Sequence, residues 1–283
     1  MGQYAAIYKA GASRRDSSGN AHAMGAVIFI VCFTLMAFYW DFVLRLYRFL
    51  FPRKAFGFYN EYTKKMSRQG FALISAYTGL RLDVDSALRE ELPPTFLLVS
   101  NHQSLYDIPA LIRAFPERDI KFIAKKELSR FVPFVSVGLK MGKHAVISRK
   151  GDPNDTRREL RRLAALARKG CCPHVFPEGT RSRTGAVGRF YTAALRTLIR
   201  DTRLPMVSVA IDGGYHISRL LDMTQAGREK RYRVRILGLY PPPADSEEFR
   251  ATVQNIREEI IAQLQAWRSE TGNPRPVRSE EKM

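Results

Sequence analysis

Short apolar runs alternate with amphipathic segments along the chain from residue 95 onward. Short apolar runs bounded by Pro, Gly or Asp are typical of buried strands, whereas apolar positions spaced three and four residues apart are typical of helices. Strands are predicted at residues 95–100, 120–124, 143–148, 172–176, 205–211 and 232–240. Helices are predicted at residues 105–115, 127–140 (with a break at Pro133), 152–169, 193–200 and 246–267. Strands separated by helices indicate an α/β domain with a mostly parallel central sheet flanked by helices.

An apolar stretch precedes this domain. Residues 24–40 read MGAVIFIVCFTLMAFYW without a charge. A membrane span needs about 20 apolar residues, so residues 24–44 are long enough to cross a bilayer once, or to lie along its surface as a helix. The stretch is not followed by a small-residue cleavage site, which argues against a signal peptide. More basic residues follow it than precede it, so the positive-inside rule predicts that the remaining chain lies at the cytoplasmic face of the cell membrane.

The charge is strongly basic, with 46 Lys and Arg against 27 Asp and Glu and a formal net charge of +19. Such a surface attracts nucleic acid, anionic lipid headgroups or an acidic carrier protein. The cations are spread along the chain, and no zinc-finger, helix-turn-helix or RNA-binding motif accompanies them, so no nucleic-acid partner is expected. Three cysteines, two of them adjacent, match neither an ordinary disulfide nor usual zinc-ligand spacings.

Two polar segments directly follow predicted strands. Residues 101–107 read NHQSLYD, which places His102 at a strand end and Asp107 at a helix start. An aspartate that accepts the ring N–H of a histidine orients the imidazole, and the other ring nitrogen can then take a proton from a hydroxyl. Residues 176–182 read FPEGTRS, where Gly179 permits close backbone approach and Arg181 offers a donor fork suited to phosphate. Taken singly, the His–Asp spacing is a weak signal that is better explained by an ordinary helix start, and the second segment can be read as an ordinary polar turn.

Together these segments resemble the sequence blocks of the glycerolipid acyltransferase family, whose best-known members are bacterial 1-acylglycerol-3-phosphate acyltransferases. The resemblance covers residues 93–212 in the same order: NHQSLYD, the stretch from Gly142 to Arg149, FPEGTRS, and Leu204-Pro205 opening a strand. The segment AKKEL at residues 124–128 is also similar to the family.

The resemblance implies that His102 is the general base, that Asp107 orients it, and that backbone N–H groups near Gly179 stabilise the oxyanion. It implies that Arg149, Glu178, Gly179, Thr180 and Arg181 bind the acceptor, with the two arginines near its phosphate. No metal or cofactor is expected. The implied substrates are a lysolipid acceptor, giving phosphatidic acid if it is 1-acylglycerol 3-phosphate, and acyl-CoA or acyl carrier protein as donor, at a membrane surface with anionic lipids.

The residue pattern and the resemblance together give the expected domain organisation. We predict a flexible N-terminus at residues 1–23, a membrane-associated helical segment at 24–70, an acyltransferase domain at 71–270 and a disordered tail at 271–283. One departure concerns the acceptor. Many family members carry a Phe followed by Lys and Gly residues after FPEGTRS, whereas residues 190–193 here read FYTA. Another lysolipid, such as a lyso-ornithine lipid, therefore stays an alternative acceptor, and a non-catalytic basic membrane-binding protein is the alternative class.

Overall fold

A central sheet with the strand order β1-β7-β6-β2-β5-β3-β4 organises the part of the chain that the structure describes. The structure is a computed structural model that describes residues 2–148, 151–217 and 231–270, with side chains from residue 24 onward. The strands are β1 (Arg81–Asp85), β2 (Leu97–Ser100), β3 (Ile120–Lys125), β4 (Ala145–Ile147), β5 (Cys172–Val175), β6 (Met206–Asp212) and β7 (Arg231–Tyr240). The helices are α1 (Gly2–Leu50), α2 (Ala55–Thr78), α3 (Asp107–Ala114), α4 (Val135–Met141), α5 (Pro153–Ala167), α6 (Ala193–Thr202) and α7 (Ser246–Glu270).

The sheet is parallel except at one boundary, which confirms the predicted α/β class. β6 and β7 pair antiparallel, and β1 pairs parallel with β7. The carboxyl ends of the five strands from β6 to β4 therefore share one edge, and β7 begins at that same edge. β1 was not among the predicted strands, because its sequence RLDVD is short and three of its five residues are charged, including two aspartates, a residue type that is depleted in strands.

Helices cover both faces of the sheet. On β2, Leu98 points into a core formed with α1, α2 and α3, while Leu97 and Val99 point into a second core formed with α5, α6 and α7. This alternation follows from the pleat of a strand, and it explains why a strand covered on both faces is apolar throughout.

Helices α1 and α2 form an antiparallel hairpin against the first core. The Phe29 and Tyr77 rings stack with centroids 4.7 Å apart, and the Trp40 indole N–H donates to the Gln69 side chain at 2.9 Å. Nearer the loop, the Tyr47 and Phe58 rings stack at 3.7 Å. One stripe of α1 is thereby buried along the predicted membrane segment.

The opposite side of α1 is apolar and exposed. Its outward residues are Val27, Ile28, Val31, Leu35, Phe38, Phe42, Leu46 and Phe49. The stretch Met24–Leu50 is long and apolar enough to cross a membrane. A helix that is apolar on its solvent side as well as its packed side is typical of membrane association.

Two predicted segments differ from the structure. Residues 127–140 were predicted as one helix with a break, but α4 covers only the second half, and a short 3₁₀ turn, Lys126–Ser129, precedes it. Pro133 has no N–H and disfavours helical backbone at the residue before it, so the helix begins after it. At the N-terminus, α1 begins at Gly2, so residues 2–23 share its helical backbone; their predicted flexibility stays a prediction. The predicted tail at 271–283 lies outside the described residues.

Candidate active site

His102 and Asp107 meet at the carboxyl edge of the sheet, directly after β2. The His102 Nδ1 atom lies 2.6 Å from Oδ2 of Asp107, whose side chain is fully buried, while the His102 side chain is 16% exposed. Because Nδ1 faces a carboxylate, we assign the ring hydrogen to Nδ1. The Nε2 atom is then left as a proton acceptor on a ring that solvent and substrate can reach.

The sequence around Asp107 explains how this pair is held. Asp107 is the first residue of α3, where a carboxylate is favoured by the free N–H groups of a helix start. Its Oδ2 atom also accepts the backbone N–H groups of Gln103 at 2.7 Å and of Ser104 at 3.0 Å. The turn between His102 and Asp107 is therefore wrapped around the carboxylate, which orients the imidazole.

Tyr232 is a hydrogen-bond partner of Asp107 that the sequence did not reveal. It lies on β7, is fully buried, and donates its hydroxyl hydrogen to Oδ1 of Asp107. Burial and the nearby Asp107 charge raise the pKa of Tyr232 well above its ordinary value, so the phenol stays a donor. No local signal marks this tyrosine, because it lies 125 residues from Asp107 in the chain.

The residues on either side of His102 tie the loop to the end of β6. The Asn101 amide donates to the Ile211 carbonyl and accepts the Ile211 N–H, both at 2.8 Å. The Gln103 side chain donates to Asp212 at 3.0 Å and accepts the Gly214 N–H at 3.0 Å. These two amides thus position the backbone of His102, and neither is free to bind substrate.

Glu178, predicted to bind the acceptor, contacts the backbone of the site in this structure. Its Oε1 atom accepts the His102 N–H at 2.7 Å and its Oε2 atom accepts the Gly188 N–H at 2.8 Å. Burial raises the pKa of Glu178 to about 7, although both N–H groups favour the charged form. Beside it, the Phe176 ring stacks on the His102 ring at 3.8 Å. A role of Glu178 in acceptor binding stays a prediction.

The glycine of FPEGTRS makes a tight turn rather than an open anion site. Gly179 has a φ of 62°, and its N–H donates to the Phe176 carbonyl at 3.0 Å. That N–H is therefore engaged and not free to stabilise an oxyanion. Thr180 and Arg181 are exposed beyond the turn, and the Ser182 N–H donates to the His102 carbonyl at 2.7 Å. The backbone N–H groups of Thr180 and Arg181 stay candidates for the oxyanion.

The remaining predicted residue, Arg149, lies outside the described residues, so its predicted contact with the acceptor stays a prediction. Within the described side chains, no three His, Cys, Asp or Glu residues are arranged to hold a metal ion. The expected reaction without metal or cofactor likewise stays a prediction.

A surface-accessible imidazole, oriented by a buried carboxylate at the carboxyl edge of an α/β sheet, defines a class of site in which a hydroxyl can be deprotonated for group transfer. Residues 84–212 match the family model described as Acyltransferase. This matched segment, a little under half of the chain, contains His102, Asp107 and the FPEGTRS segment.

Similar proteins carry related names. The chain is 32% identical over 146 residues to a chloroplastic 1-acyl-sn-glycerol-3-phosphate acyltransferase of Brassica napus, covering 50% of this chain and 40% of that protein. It is 28% identical over 244 residues to the mouse 1-acyl-sn-glycerol-3-phosphate acyltransferase alpha, covering 81% of each. The crystal structure of the 1-acyl-sn-glycerophosphate acyltransferase PlsC from Thermotoga maritima superimposes with a TM-score of 0.66 at 24% identity, covering 88% of this chain and 98% of that one. The matched region thus spans less than half of the plant relative.

Proposed function

We propose that the protein is an O-acyltransferase that moves a fatty acyl group from a thioester donor to the hydroxyl of a lysolipid. The observation that carries this proposal is the His102–Asp107 pair, in which Asp107 holds Nδ1 and leaves Nε2 as the acceptor. The family match and the names of the relatives support acyl transfer.

The reaction needs no covalent enzyme intermediate. Nε2 of His102 takes the proton of the acceptor hydroxyl while its oxygen attacks the thioester carbonyl carbon. Asp107 stabilises the imidazolium that forms, and backbone N–H groups next to the Gly179 turn stabilise the negative charge that develops on the carbonyl oxygen. The carbon–sulfur bond then breaks, the ester is released, and the thiolate takes the proton from the imidazolium.

The first acceptor we propose is 1-acylglycerol 3-phosphate, which gives phosphatidic acid for phospholipid biosynthesis. The names of the curated relatives favour it. Arg181 is exposed beyond the Gly179 turn, where a guanidinium can reach a phosphate. The departure at residues 190–193 leaves a lyso-ornithine lipid as the second candidate, with Arg183 and Arg189 as nearby cations.

The site meets these lipids because α1 holds it at the membrane. α1 packs on α2 from Phe29 to Tyr47, so lipid cannot surround that stretch. We place only its outward apolar face in the membrane, with the domain at the cytoplasmic side as the basic flank predicts. Lipid acceptor and soluble donor, acyl-CoA or acyl carrier protein, can then reach one active site.

An acceptor panel tests the proposal. Detergent-solubilised protein is offered each donor with 1-acylglycerol 3-phosphate, lyso-ornithine lipid and lysophosphatidylcholine, and products are identified by mass spectrometry. We expect phosphatidic acid as the dominant product. Product from lyso-ornithine lipid alone would correct the acceptor and keep the reaction. No product from any pair, with folded protein, would favour the non-catalytic membrane-binding alternative.

Replacing Tyr232 with phenylalanine tests how the Tyr232 hydroxyl affects the interaction of Asp107 with His102. The variant keeps the edge-to-face contact with Phe71, whose ring centroid lies 5.6 Å away, but removes the donor to Oδ1. Without this donor, the negative charge of Asp107 stabilises the protonated imidazole more strongly. As the pH falls, the imidazole is therefore protonated, and inactive as a base, already at a higher pH. We expect the acid limb of the kcat profile to move to higher pH, with a loss of activity of a few-fold at most near pH 8.

Replacing Phe71 with leucine is the matched control, because it perturbs the same packing without touching the hydrogen bond. A Tyr232→Phe profile that keeps its acid limb in place would show that the tyrosine contributes only packing.

A further inference from the structure

Phe131 is the most exposed large apolar side chain in the described part of the chain, at 98% of its full surface. It lies in the loop between the 3₁₀ turn Lys126–Ser129 and α4. The sequence of the apolar stretch at residues 131–139 is compatible with core packing, with lining of an acyl groove or with membrane contact. The structure separates these, because residues 136–139 are buried while Phe131 projects away from the protein. We infer that Phe131 inserts into the lipid bilayer as a second contact point beside α1.

The backbone presents this ring at an energetic cost. Phe131 has a φ of 57° and Phe134 a φ of 50°, a region that residues with a Cβ disfavour. The second of these is held by its neighbours: the Phe134 N–H donates to Oδ1 of Asp41 at 2.9 Å, and its ring meets Trp40 edge to face at 5.3 Å. These contacts of Phe134 therefore fix the loop in the conformation that exposes Phe131.

The loop adjoins the outward face of α1. Asp41, which accepts the Phe134 N–H, also pairs with Arg45 at 2.6 Å, and Arg45 reaches the Ser136 hydroxyl at 3.4 Å. Asp41 and Arg45 line a groove on α1 together with Phe38, Phe42, Leu46 and Phe49. Two of the three charged residues in the stretch Met24–Leu50, Asp41 and Arg45, thus hold the loop, and Phe131 extends the membrane-facing surface of that helix.

The charge around Phe131 favours a bilayer with anionic lipids over an uncharged apolar partner. Lys125, Lys126 and Arg130 are exposed in the residues leading to it, against one exposed acid, Glu127. A ring flanked by cations matches a membrane interface, where the ring enters the acyl region and the cations meet headgroup phosphates.

Tryptophan fluorescence tests the depth of the loop directly. The Phe131→Trp variant is bound to vesicles of phosphatidylcholine and phosphatidylglycerol, with and without brominated acyl chains. The fluorescence of the unsubstituted protein, which comes from the buried Trp40 and Trp267, is subtracted. We expect a blue shift and bromine quenching of the added tryptophan. Leu239→Trp is the matched control, since Leu239 is an exposed apolar residue on β7, and its signal should not change. Water-like, unquenched Phe131→Trp emission from vesicle-bound protein would overturn the inference.

A binding measurement uses the side chain itself. Phe131→Asp should lower partitioning onto the same vesicles roughly tenfold, because an inserted phenylalanine is replaced by a charge, with unchanged melting temperature. Unchanged partitioning would refute insertion. A change in oligomeric state in detergent without a change in partitioning would identify a second copy of the chain as the occupant and would also refute it. Neither readout depends on the acyl-transfer activity.

Discussion

Replacing His102 with alanine is expected to lower kcat for acyl transfer roughly 10³-fold, because the acceptor hydroxyl loses the group that takes its proton. The buried Asp107 holds the His102 imidazole through Nδ1, and an alanine side chain provides no proton acceptor in place of Nε2. Product formation from the preferred acceptor, followed by mass spectrometry under single-turnover and steady-state conditions, measures the loss. KM for the acceptor should change little, since the imidazole acts mainly in the transition state.

The variant must be shown to fold, because His102 also stacks on Phe176. Its melting temperature is compared with that of the native protein. Arg161→Ala, on the exposed face of α5, is the control for effects of handling and of a surface substitution on activity. Activity that survives in folded His102→Ala would keep the reaction class and exclude His102 as the base.

Replacing Arg268 with methionine is expected to lower the free energy of unfolding by about 3–5 kcal/mol, because it leaves a buried carboxylate without its cation. The Arg268 guanidinium donates to Oδ1 of Asp212 at 2.7 Å and to Oδ2 at 3.2 Å, and it also donates to the Gly185 carbonyl at 3.0 Å. Asp212 in turn accepts from Gln103, so the loss should extend to the backbone around His102. Denaturant unfolding in detergent measures the change.

Arg250→Met is the matched control on the exposed face of the same helix, and it should change the free energy of unfolding by no more than about 0.5 kcal/mol. Adding Asp212→Asn to the Arg268→Met variant should recover part of the loss, because the uncompensated charge is removed. Equal stability of Arg268→Met and the native protein would mean that the ion pair contributes nothing net.

The sequence predicted the elements whose signals are local. β2 and β5 were predicted because strands covered on both faces are apolar throughout, and α5 because Asp152 and Pro153 mark its start. The His102–Asp107 pair was also within reach of sequence reasoning, since five residues separate its members.

Other features depend on contacts between distant parts of the chain. Asn101 meets Ile211 across 110 residues and Tyr232 meets Asp107 across 125, so no window of sequence contains either pair. The contacts of Glu178 with the His102 and Gly188 N–H groups likewise have no local sequence signal, because the burial of Glu178 beneath the loop depends on the whole sheet edge. Its predicted role in acceptor binding stays a prediction. The strand β1 was missed because its pairing with β7 compensates for a sequence of weak strand character.

Because β7 pairs antiparallel with β6, the segment that carries the motifs is not structurally independent of the C-terminal part of the chain. The family match ends at Asp212, the last residue of β6. Beyond it, β7 covers the open edge of β6, Tyr232 completes the shell of Asp107, and α7 supplies Ile256, Ile260 and Leu264 to the second core. A fragment that ends at Asp212 would keep His102, Asp107 and the FPEGTRS segment. It would also expose the unpaired edge of β6, and such an edge is a template for aggregation. Transplanting this reaction into another scaffold therefore requires the C-terminal strand and helix as well as the signature segments.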